Sequence, residues 1–314
     1  MKNNNELLFS KEITIENTTY CGSNCIMCPR ESYNQPWSHM DFGFFKNVVD
    51  QAIELGLMSL DACGFGDPFM DPQFEKKLRY VRERYPHIKI YTSTTGHMLM
   101  PVRSSWVIEC VDTLKISNYG FSKETYEAIH RGSLKYEKVI NNIKSLLAAR
   151  KGSGLYIIML FLVFNINRDE VDAWRNYWEN KVDEIMIWLP HNWGGKISVG
   201  HIGVPASSIP KSCGRPFRGN LFIRVNGDVS MCCFDYNHQL VIGNLHKQSL
   251  RDILMGTKLK AIRAAHNEGR FPDKCRECDQ LHSREAALIY SSNIKRKPGI
   301  ITSHPDLLIN LTTS

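Results

Sequence analysis

Three cysteines packed into a short loop constrain this chain more than any other feature. Cys21, Cys25 and Cys28 lie in the stretch TTYCGSNCIMCPR with the spacing C-x3-C-x2-C. A structural zinc ion takes four thiolate or imidazole ligands, and an ordinary four-iron cube takes four cysteines. Three clustered thiolates therefore indicate a [4Fe–4S] cube with one iron left open for a group that is not protein.

The composition is typical of a soluble globular protein. Hydrophobic residues make up 43% of the 314 residues and charged residues 23%, as in ordinary domains. The longest apolar run, LYIIMLFLVF at 155–164, is too short to cross a bilayer and predicts a buried strand. No secretory signal precedes the first cysteine, so we expect a cytoplasmic protein, in which ten cysteines are metal ligands rather than disulfides.

The net charge of +7 is concentrated in the last third of the chain. A basic face can bind nucleic acid or an anionic substrate. The basic residues are scattered, however, and no nucleic-acid motif accompanies them, so we expect neither a nucleic-acid nor a membrane partner. A non-catalytic iron–sulfur or zinc protein that binds RNA is the alternative from a different class.

Strand and helix patterns alternate along the first 190 residues. The predicted strands are 11–17, 58–63, 87–93, 112–117, 155–164 and 183–189. The predicted helices are 42–56, 72–84, 101–110, 123–150 with a break at Gly132, and 169–180. This order predicts an α/β fold with a parallel sheet. Six β/α units are fewer than the eight of a closed barrel, so we expect a partial (β/α)6 barrel over 1–190.

The pattern changes after residue 190. Residues 191–212 are rich in Gly, Pro, Ser and Asn and predict a linker. Residues 220–234 predict a β-hairpin that turns at Asn226-Gly227. Helices are expected at 248–267 and 281–291. The predicted organisation is therefore a barrel at 1–190, a small hairpin-plus-helices domain at 213–291 and a polar tail at 292–314.

The N-terminal part resembles the radical S-adenosylmethionine (SAM) enzymes. Besides the three cysteines after the first strand, GFGDP at 64–68 resembles the G-G-E-P loop of the family, although an Asp replaces the usual Glu. TSTTG at 92–96 resembles its T-N-G turn, and an Asn at 165 or 167 resembles one that often faces the ribose. The residues that the resemblance implies as SAM contacts are Gly64, Gly66, Asp67, Pro68, Thr94, Ser117, Arg131 and Asn167.

The resemblance also implies a chemistry that explains the missing fourth ligand. In this family SAM chelates the open iron of the cube, and an electron from the reduced cluster cleaves the sulfonium. The 5′-deoxyadenosyl radical that results abstracts hydrogen from an unactivated carbon. The cofactor carries the difficult step, while the protein orients the reactants and excludes water. Zinc or a purely structural cluster is the alternative interpretation of the loop.

A second set of cysteines lies in the C-terminal part. Cys213 and Cys232 are followed much later by the C-x2-C pair Cys275 and Cys278. Four thiolates can close every position of an auxiliary [4Fe–4S] cluster. The arrangement resembles the twitch domain, a shortened SPASM module with one auxiliary cluster. A four-cysteine zinc ribbon is the alternative, but ribbons usually carry two such pairs.

Three cysteines remain outside both sets. Cys63 and Cys110 fit buried packing positions. Cys233, next to Cys232, is a candidate catalytic hydrogen donor to a substrate radical. Further substrate-facing candidates are His191, Asn192 and Trp193, and more weakly Tyr119, Trp188 and Asp235.

A fully ligated auxiliary cluster suits a net two-electron oxidation, because it can accept an electron from a substrate radical. The resemblance extends to the aminocyclitol dehydrogenase branch of the family, which implies oxidation of a sugar-like or cyclitol substrate. Radical epimerisation with Cys233 as the donor, and modification of a ribosomal peptide, are the alternatives. We expect flavodoxin or ferredoxin as the reductase. Only twenty residues precede Cys21, too few for a peptide-recognition domain, which favours a small substrate.

Overall fold

The fold was analysed in a computed structural model, which describes residues 9–33, 35–196, 212–218, 221–282 and 288–293. Most of the expected linker, 197–211, and most of the expected tail, 294–314, lie outside the described residues. None of the helices described is both long enough and apolar enough to span a bilayer.

Six parallel strands pair side by side in chain order. They are β1 (Glu12–Ile15), β2 (Ser59–Asp61), β3 (Lys89–Thr94), β4 (Thr113–Ser117), β5 (Tyr156–Leu162) and β6 (Glu184–Trp188). Crossovers between parallel neighbours are right-handed, so the connecting helices cover one face of the sheet and the other face borders an open lumen. The expected α/β fold of a partial barrel is confirmed.

The connecting helices follow the predicted alternation. They are α1 (Phe42–Glu54), α2 (Phe74–Arg84), α3 (Ser104–Cys110), α4 (Lys123–Ile129), α5 (Tyr136–Ala149) and α6 (Val171–Trp178). The predicted break at Gly132 separates α4 from α5. Gly132 has a φ of +70°, which glycine adopts without the steric cost of a side chain.

Helix α1 shows why these segments fold as they do. The Asp41 carboxylate caps its first turn by accepting the backbone N–H of Phe44 at 2.9 Å. The buried face follows helical spacing and consists of Phe45, Val48, Val49 and Ala52. Burying each large apolar side chain stabilises the fold by about 1.5–3 kcal/mol. Gly56, with a φ of +85°, follows the end of the helix.

Three C-terminal strands extend the same sheet beyond β1. They are β7 (Leu221–Ile223), β8 (Asp228–Ser230) and β9 (Val241–Asn244). The predicted hairpin is confirmed, because β7 and β8 pair antiparallel across the turn at Gly227. Unexpectedly, β7 also pairs in parallel with β1. The C-terminal part therefore continues the barrel sheet instead of packing as a separate layer.

The helices of the C-terminal part are shorter than predicted. They are α7 (Arg215–Arg218), α8 (Leu250–Met255), α9 (Thr257–Asn267), α10 (Asp273–Arg276) and α11 (Asp279–His282). The predicted helix at 248–267 is divided at Gly256 into α8 and α9. Glycine weakens a helix interior because it has the most backbone freedom to lose.

The prediction of one helix over 281–291 was wrong. Leu288–Ser291 forms β10, which pairs antiparallel with β6. The edge of β6 has unpaired backbone groups that a strand can satisfy and a helix cannot. The side chains agree, since the Ser291 hydroxyl donates to the buried Glu184 carboxylate of β6 at 2.8 Å. This pairing depends on a contact about 100 residues away, so local periodicity could not show it.

Candidate active site

Strand β1 leads into the loop that carries Cys21, Cys25 and Cys28. The backbone N–H of Cys28 donates to the Cys25 carbonyl at 3.0 Å, which closes a tight turn. Burial raises the pKa of Cys21 to about 11 and that of Cys25 to about 12, and the neighbouring thiols add to both shifts. Thiolates in this loop therefore need a bound cation, which iron provides in a cluster.

The three thiols fit a cluster better than a single ion. Within the part of the chain that the structure describes, no three Cys, His, Asp or Glu side chains converge as the ligands of one metal ion do. Thiolates around a cube each bind a different iron. They surround a volume and do not have to converge on a point. The loop is thus suited to three positions of a [4Fe–4S] cube.

Two polar side chains that the sequence analysis missed contact Cys25. The Ser23 hydroxyl oxygen lies 2.8 Å from the Cys25 Sγ and 2.8 Å from the His130 Nδ1, and that nitrogen lies 3.1 Å from the same sulfur. His130 is fully buried, and burial lowers its pKa to about 4, so its ring is neutral. Hydrogen bonds to cluster sulfurs tune the reduction potential. No local pattern marks His130, because its partners lie more than 100 residues away.

Gly64 and Gly66 allow the loop after β2 to pack against the chain entering the cysteine loop. A Cβ on Gly66 would lie 2.2 Å from the Thr18 carbonyl oxygen and 2.5 Å from that of Tyr20. A Cβ on Gly64 would lie 2.5 Å from the Glu16 side chain. Only glycine fits at these positions. Their predicted contact with SAM stays a prediction, while their packing role is visible.

The Asp67 carboxylate is occupied by four protein donors. It accepts the backbone N–H groups of Phe69 and Thr95 at 3.1 and 3.0 Å. It also accepts the hydroxyls of Thr94 and Thr95 at 2.8–3.0 Å. A carboxylate has about four lone-pair sites. In this geometry Asp67 ties the loop after β2 to the end of β3, and Pro68 begins the short 3-10 turn that follows. Binding of the SAM amino group by Asp67 stays a prediction.

The other predicted SAM contacts lie at the carboxyl ends of β4 and β5 or near them. Ser117 ends β4, and its hydroxyl hydrogen-bonds to the partly buried Tyr119. The Asn167 side chain is fully buried, and it accepts from the Phe164 N–H at 2.6 Å and donates to the Tyr119 carbonyl at 2.7 Å. Arg131 lies on the surface and pairs with Glu31. Asn167 thus holds two loops together, and its contact with SAM is untested.

The four C-terminal cysteines line one cavity. The lining includes Cys213, Cys232, Cys275 and Cys278, together with Arg215 and Lys274. Burial raises the pKa of Cys275 to about 12 and that of Cys278 to about 11. Four thiols around one cavity, with two cations beside them, suit an anionic four-iron cluster.

Cys233 is not part of that lining. Its Sγ accepts a hydrogen bond from the Arg215 guanidinium at 2.9 Å. Burial lowers the pKa of Arg215, but Cys233 and Cys232 outweigh it and raise the pKa overall. Cys63 lies close enough that Cys233 contributes to its raised pKa, after burial and Asp61. Cys233 is therefore near the end of β2 while Cys232 faces the cavity.

The segment 191–195 connects the two cysteine sites. The Trp193 indole N–H donates to the Met27 carbonyl at 2.8 Å, and the Trp193 carbonyl accepts from the Lys274 ammonium at 2.8 Å. The Asn192 backbone N–H donates to the Asp279 carboxylate at 2.7 Å. His191 is partly buried, and desolvation, Arg215 and Lys274 lower its pKa to about 3. The predicted candidates at 191–193 thus lie between the two sites.

Two polar side chains, one on β2 and one on β4, lie on the face of the sheet that borders the lumen. The Lys115 ammonium of β4 lies 3.4 Å from the Asp61 carboxylate of β2, and both side chains remain about 30% exposed. Asp61 follows Leu60 in β2, and Lys115 lies between Leu114 and Ile116 in β4; all three apolar neighbours pack in the core. Because side chains alternate between the two faces of a strand, Asp61 and Lys115 point to the opposite face. Such a pair can orient hydroxyl or amino groups of a substrate.

Of the weaker candidates, Tyr119 lies beside the first cysteine site, since Cys25 and Cys28 contribute to its raised pKa after burial. Trp188 ends β6 and is partly buried. Asp235 is fully buried and accepts the backbone N–H groups of Gln239 and Leu240 at 2.8 and 2.9 Å, which supports a loop.

Comparisons with known proteins agree with this geometry. A profile of the radical SAM superfamily matches residues 15–175. A profile of the SPASM iron–sulfur cluster-binding domain matches residues 213–279. An S-adenosyl-L-methionine-dependent 2-deoxy-scyllo-inosamine dehydrogenase from Niallia circulans is 23% identical over 286 residues, which cover 87% of this chain and 94% of that protein.

Solved structures share the fold. BtrN in complex with AdoMet and 2-DOIA aligns with a TM-score of 0.59 at 18% identity, over 86% of this chain and 93% of BtrN. SuiB from Streptococcus suis, bound to precursor peptide SuiA, aligns with a TM-score of 0.68 at 15% identity, over 88% of this chain and 71% of SuiB. Since the superfamily profile spans just over half of the chain and the four-cysteine cavity lies within the second matched region, the protein belongs to the radical SAM superfamily and carries a C-terminal iron–sulfur cluster-binding domain.

Proposed function

We propose that this radical SAM enzyme oxidises a hydroxyl-bearing carbon of a small sugar-like or cyclitol substrate to a ketone. The observation that carries the proposal is the single cavity that Cys213, Cys232, Cys275 and Cys278 line together. Four cysteines leave no coordination position for substrate. An auxiliary cluster held in this way is suited to taking an electron from a substrate radical, which oxidation requires.

The chain supplies the binding groups for this chemistry. When bound, SAM and its cluster supply a 5′-deoxyadenosyl radical, and the auxiliary cluster supplies an acceptor for the second electron. We place the first cluster on Cys21, Cys25 and Cys28. Asp61 and Lys115, which face the lumen, orient the polar groups of the substrate. Trp193 and its neighbours lie partly buried between the two sites, where they limit the access of water.

The relative from Niallia circulans supports this substrate class, because its name describes dehydrogenation of an aminocyclitol. The matching region covers nearly the whole length of both chains. SuiB, whose structure contains a precursor peptide, supports peptide modification as the second candidate. Radical epimerisation with Cys233 as the hydrogen donor is the third outcome that an experiment must separate.

The test uses protein reconstituted with iron and sulfide without oxygen, then mixed with SAM, dithionite and a panel of cyclitols and aminocyclitols. We expect 5′-deoxyadenosine together with a ketone product, in equal amounts, from at least one member of the panel. Variants with Ala at Cys21, Cys25 or Cys28 are expected to form neither.

Two results would contradict the proposal. Full 5′-deoxyadenosine formation by the cysteine variants would remove the assignment of the first cluster. A product with unchanged oxidation state that carries one solvent deuterium would show epimerisation instead.

A further inference from the structure

An exposed aromatic patch lies directly beside the first cysteine loop. We define the aromatic patch as Tyr20, Arg30, Trp37 and His39. The Tyr20 ring lies 5.8 Å from the Trp37 ring and stacks on the His39 ring at 4.7 Å between centroids. The Arg30 guanidinium lies over the Trp37 ring, 4.1 Å from the ring centre.

The backbone fixes this arrangement. Residues 17–19 pair with residues 38–40, because the Thr19 N–H donates to the Ser38 carbonyl at 3.0 Å and the Met40 N–H donates to the Asn17 carbonyl at 2.8 Å. The Tyr20 carbonyl accepts the Asp67 N–H at 2.9 Å. The patch is therefore mounted on the same framework that positions the cysteine loop.

The exposure of the patch is unusual for this chain. Trp37 is 48% exposed and Tyr20 is 37% exposed. Among the described residues only five large hydrophobic side chains are exposed, and the others are Met58, Val102 and Ile166. Single exposed hydrophobic residues are normal on a protein surface. Two large aromatic residues in contact, joined by an arginine, are typical of a binding site.

The charge of the patch is positive. Arg30 has no carboxylate within 4.0 Å in the described part of the chain, whereas its neighbour Glu31 is paired with Arg131. Arg30 is two residues after Cys28, and Tyr20 directly precedes Cys21. The patch is therefore continuous with both ends of the cysteine loop.

We propose that the aromatic patch is the docking surface of an acidic one-electron carrier protein of the flavodoxin or ferredoxin class. The inference rests on the proposed placement of the SAM-binding cluster at Cys21, Cys25 and Cys28. In the docking step the reduced carrier loses one electron and the oxidised cluster gains it, with no bond formed or broken. Of the surfaces described, this patch combines contact with the cysteine loop, exposed aromatic area and unpaired positive charge.

The physical properties of the patch match those of electron-transfer interfaces. Such complexes are transient and bury less than about 1,200 Å² in total, which a small patch can supply. Tyr, Trp and Arg dominate the binding energy of interfaces. An acidic carrier is steered towards an unpaired cation, and opposite charges raise the association rate in a salt-dependent way.

The test compares two reductants on the reconstituted holoenzyme. The oxidised cluster is mixed in a stopped-flow instrument with reduced flavodoxin or with dithionite. In Trp37→Ala and in a Tyr20→Ala/Trp37→Ala double variant, we expect the second-order rate constant with flavodoxin to fall at least about tenfold. Reduction by dithionite, and 5′-deoxyadenosine formation driven by dithionite, should be unchanged.

Control variants distinguish loss of the patch from other causes of slow reduction by flavodoxin. Val102→Ala removes an exposed hydrophobic side chain elsewhere and should behave as wild type, while Trp37→Phe should restore most of the rate. With flavodoxin the wild-type rate should fall as salt is raised. If wild type makes no 5′-deoxyadenosine with dithionite, the proposed function fails, whatever the flavodoxin arm shows.

Four results would overturn the docking proposal. An unchanged flavodoxin rate in the double variant would exclude the patch as the carrier site. Equal slowing by flavodoxin and dithionite would show damage to the cluster. A change in sedimentation of Trp37→Ala would assign the patch to a second copy of the chain. A raised KM for substrate under dithionite would assign it to substrate.

Discussion

At the scale of single residues, Gly66 shows how closely the second loop approaches the cysteine loop. We predict that Gly66→Ala lowers the free energy of unfolding by at least about 1–3 kcal/mol, because its Cβ would overlap the carbonyl oxygens of Thr18 and Tyr20. Backbone cannot move aside as a flexible side chain can. Iron bound after reconstitution should fall as well, since Tyr20 directly precedes Cys21.

The matched control is Gly154→Ala. A Cβ on Gly154 would meet no atom within 4 Å, so this variant should unfold within about 0.5 kcal/mol of wild type. Urea unfolding and iron analysis measure both effects. If Gly66→Ala matched Gly154→Ala in both assays, the close approach of the two loops would be contradicted.

Cys232 and Cys233 are adjacent in sequence but differ in surroundings. Two four-iron clusters correspond to about eight irons per chain. We predict that Cys232→Ala loses about half of this iron, because Cys232 lines the four-cysteine cavity, while Cys233→Ser retains it. Iron and sulfide analysis measures the difference. Equal iron loss in both variants would mean that Cys233 serves as a ligand.

Turnover of the Cys233→Ser variant distinguishes the candidate reactions. An oxidation needs no hydrogen donor, so product formation should remain largely intact. An epimerisation that uses Cys233 would still form 5′-deoxyadenosine but lose its product. Product analysis in heavy water completes this comparison.

At the scale of elements, α2 carries a lysine into the core. The Lys77 ammonium is fully buried and donates to the Asp71 carboxylate and to the Met40 carbonyl, both at 2.6 Å. We predict that Lys77→Met lowers the free energy of unfolding by about 3–5 kcal/mol, because it leaves the buried charge of Asp71 with only the His39 ring nearby, at 3.9 Å. Denaturant unfolding of the two proteins gives the difference.

Two further variants make that prediction specific to the pair. Lys144→Met removes an exposed lysine from α5 and should change stability by less than about 0.5 kcal/mol. A Lys77→Met/Asp71→Leu double variant should recover part of the loss, because no buried charge remains unpaired. A loss in the double variant as large as in Lys77→Met would point to packing instead of charge.

At the scale of the whole molecule, β1 and β7 join the barrel to the cluster-binding domain. Glu16 follows β1, is fully buried and accepts the backbone N–H groups of Phe65 and Val225 at 3.1 and 3.3 Å. Burial raises the pKa of Glu16, and the charge of the buried Arg224 after β7 opposes that shift. Three loops from distant parts of the sequence therefore meet at one carboxylate.

The shared contacts at Glu16 predict that the barrel and the cluster-binding domain unfold together. Glu16→Leu removes the acceptor of two backbone N–H groups and leaves Arg224 with only the Asp235 carboxylate, at 4.0 Å, as a nearby charge, so we expect a loss of about 3–5 kcal/mol in the free energy of unfolding. Glu75→Gln is the control, since Glu75 belongs to an exposed pair with Arg79 that contributes at most about 1 kcal/mol. Proteolysis should also cleave the C-terminal part sooner in Glu16→Leu. A loss no larger than that of the control would show that the junction contributes little.

The sequence by itself determined the class of the molecule. The two cysteine sets, the alternation of strands and helices and the hairpin at Asn226-Gly227 are local patterns, and each corresponds to a feature of the fold. Spacing along a chain predicts turns, periodicity and loop ligands because these depend on residues that are close in sequence. The α/β class, the break at Gly132 and the radical SAM family were therefore accessible without a structure.

Only the tertiary structure decided how these parts are arranged. The pairing of β7 with β1 and of β10 with β6 joins segments about 100 to 200 residues apart, and strand edges accept any partner of suitable length. The contact of His130 with Cys25 and the separation of Cys232 from Cys233 likewise depend on packing. These side chains come into contact only when distant segments pack together, and the residues around each of them in the sequence give no signal of that contact.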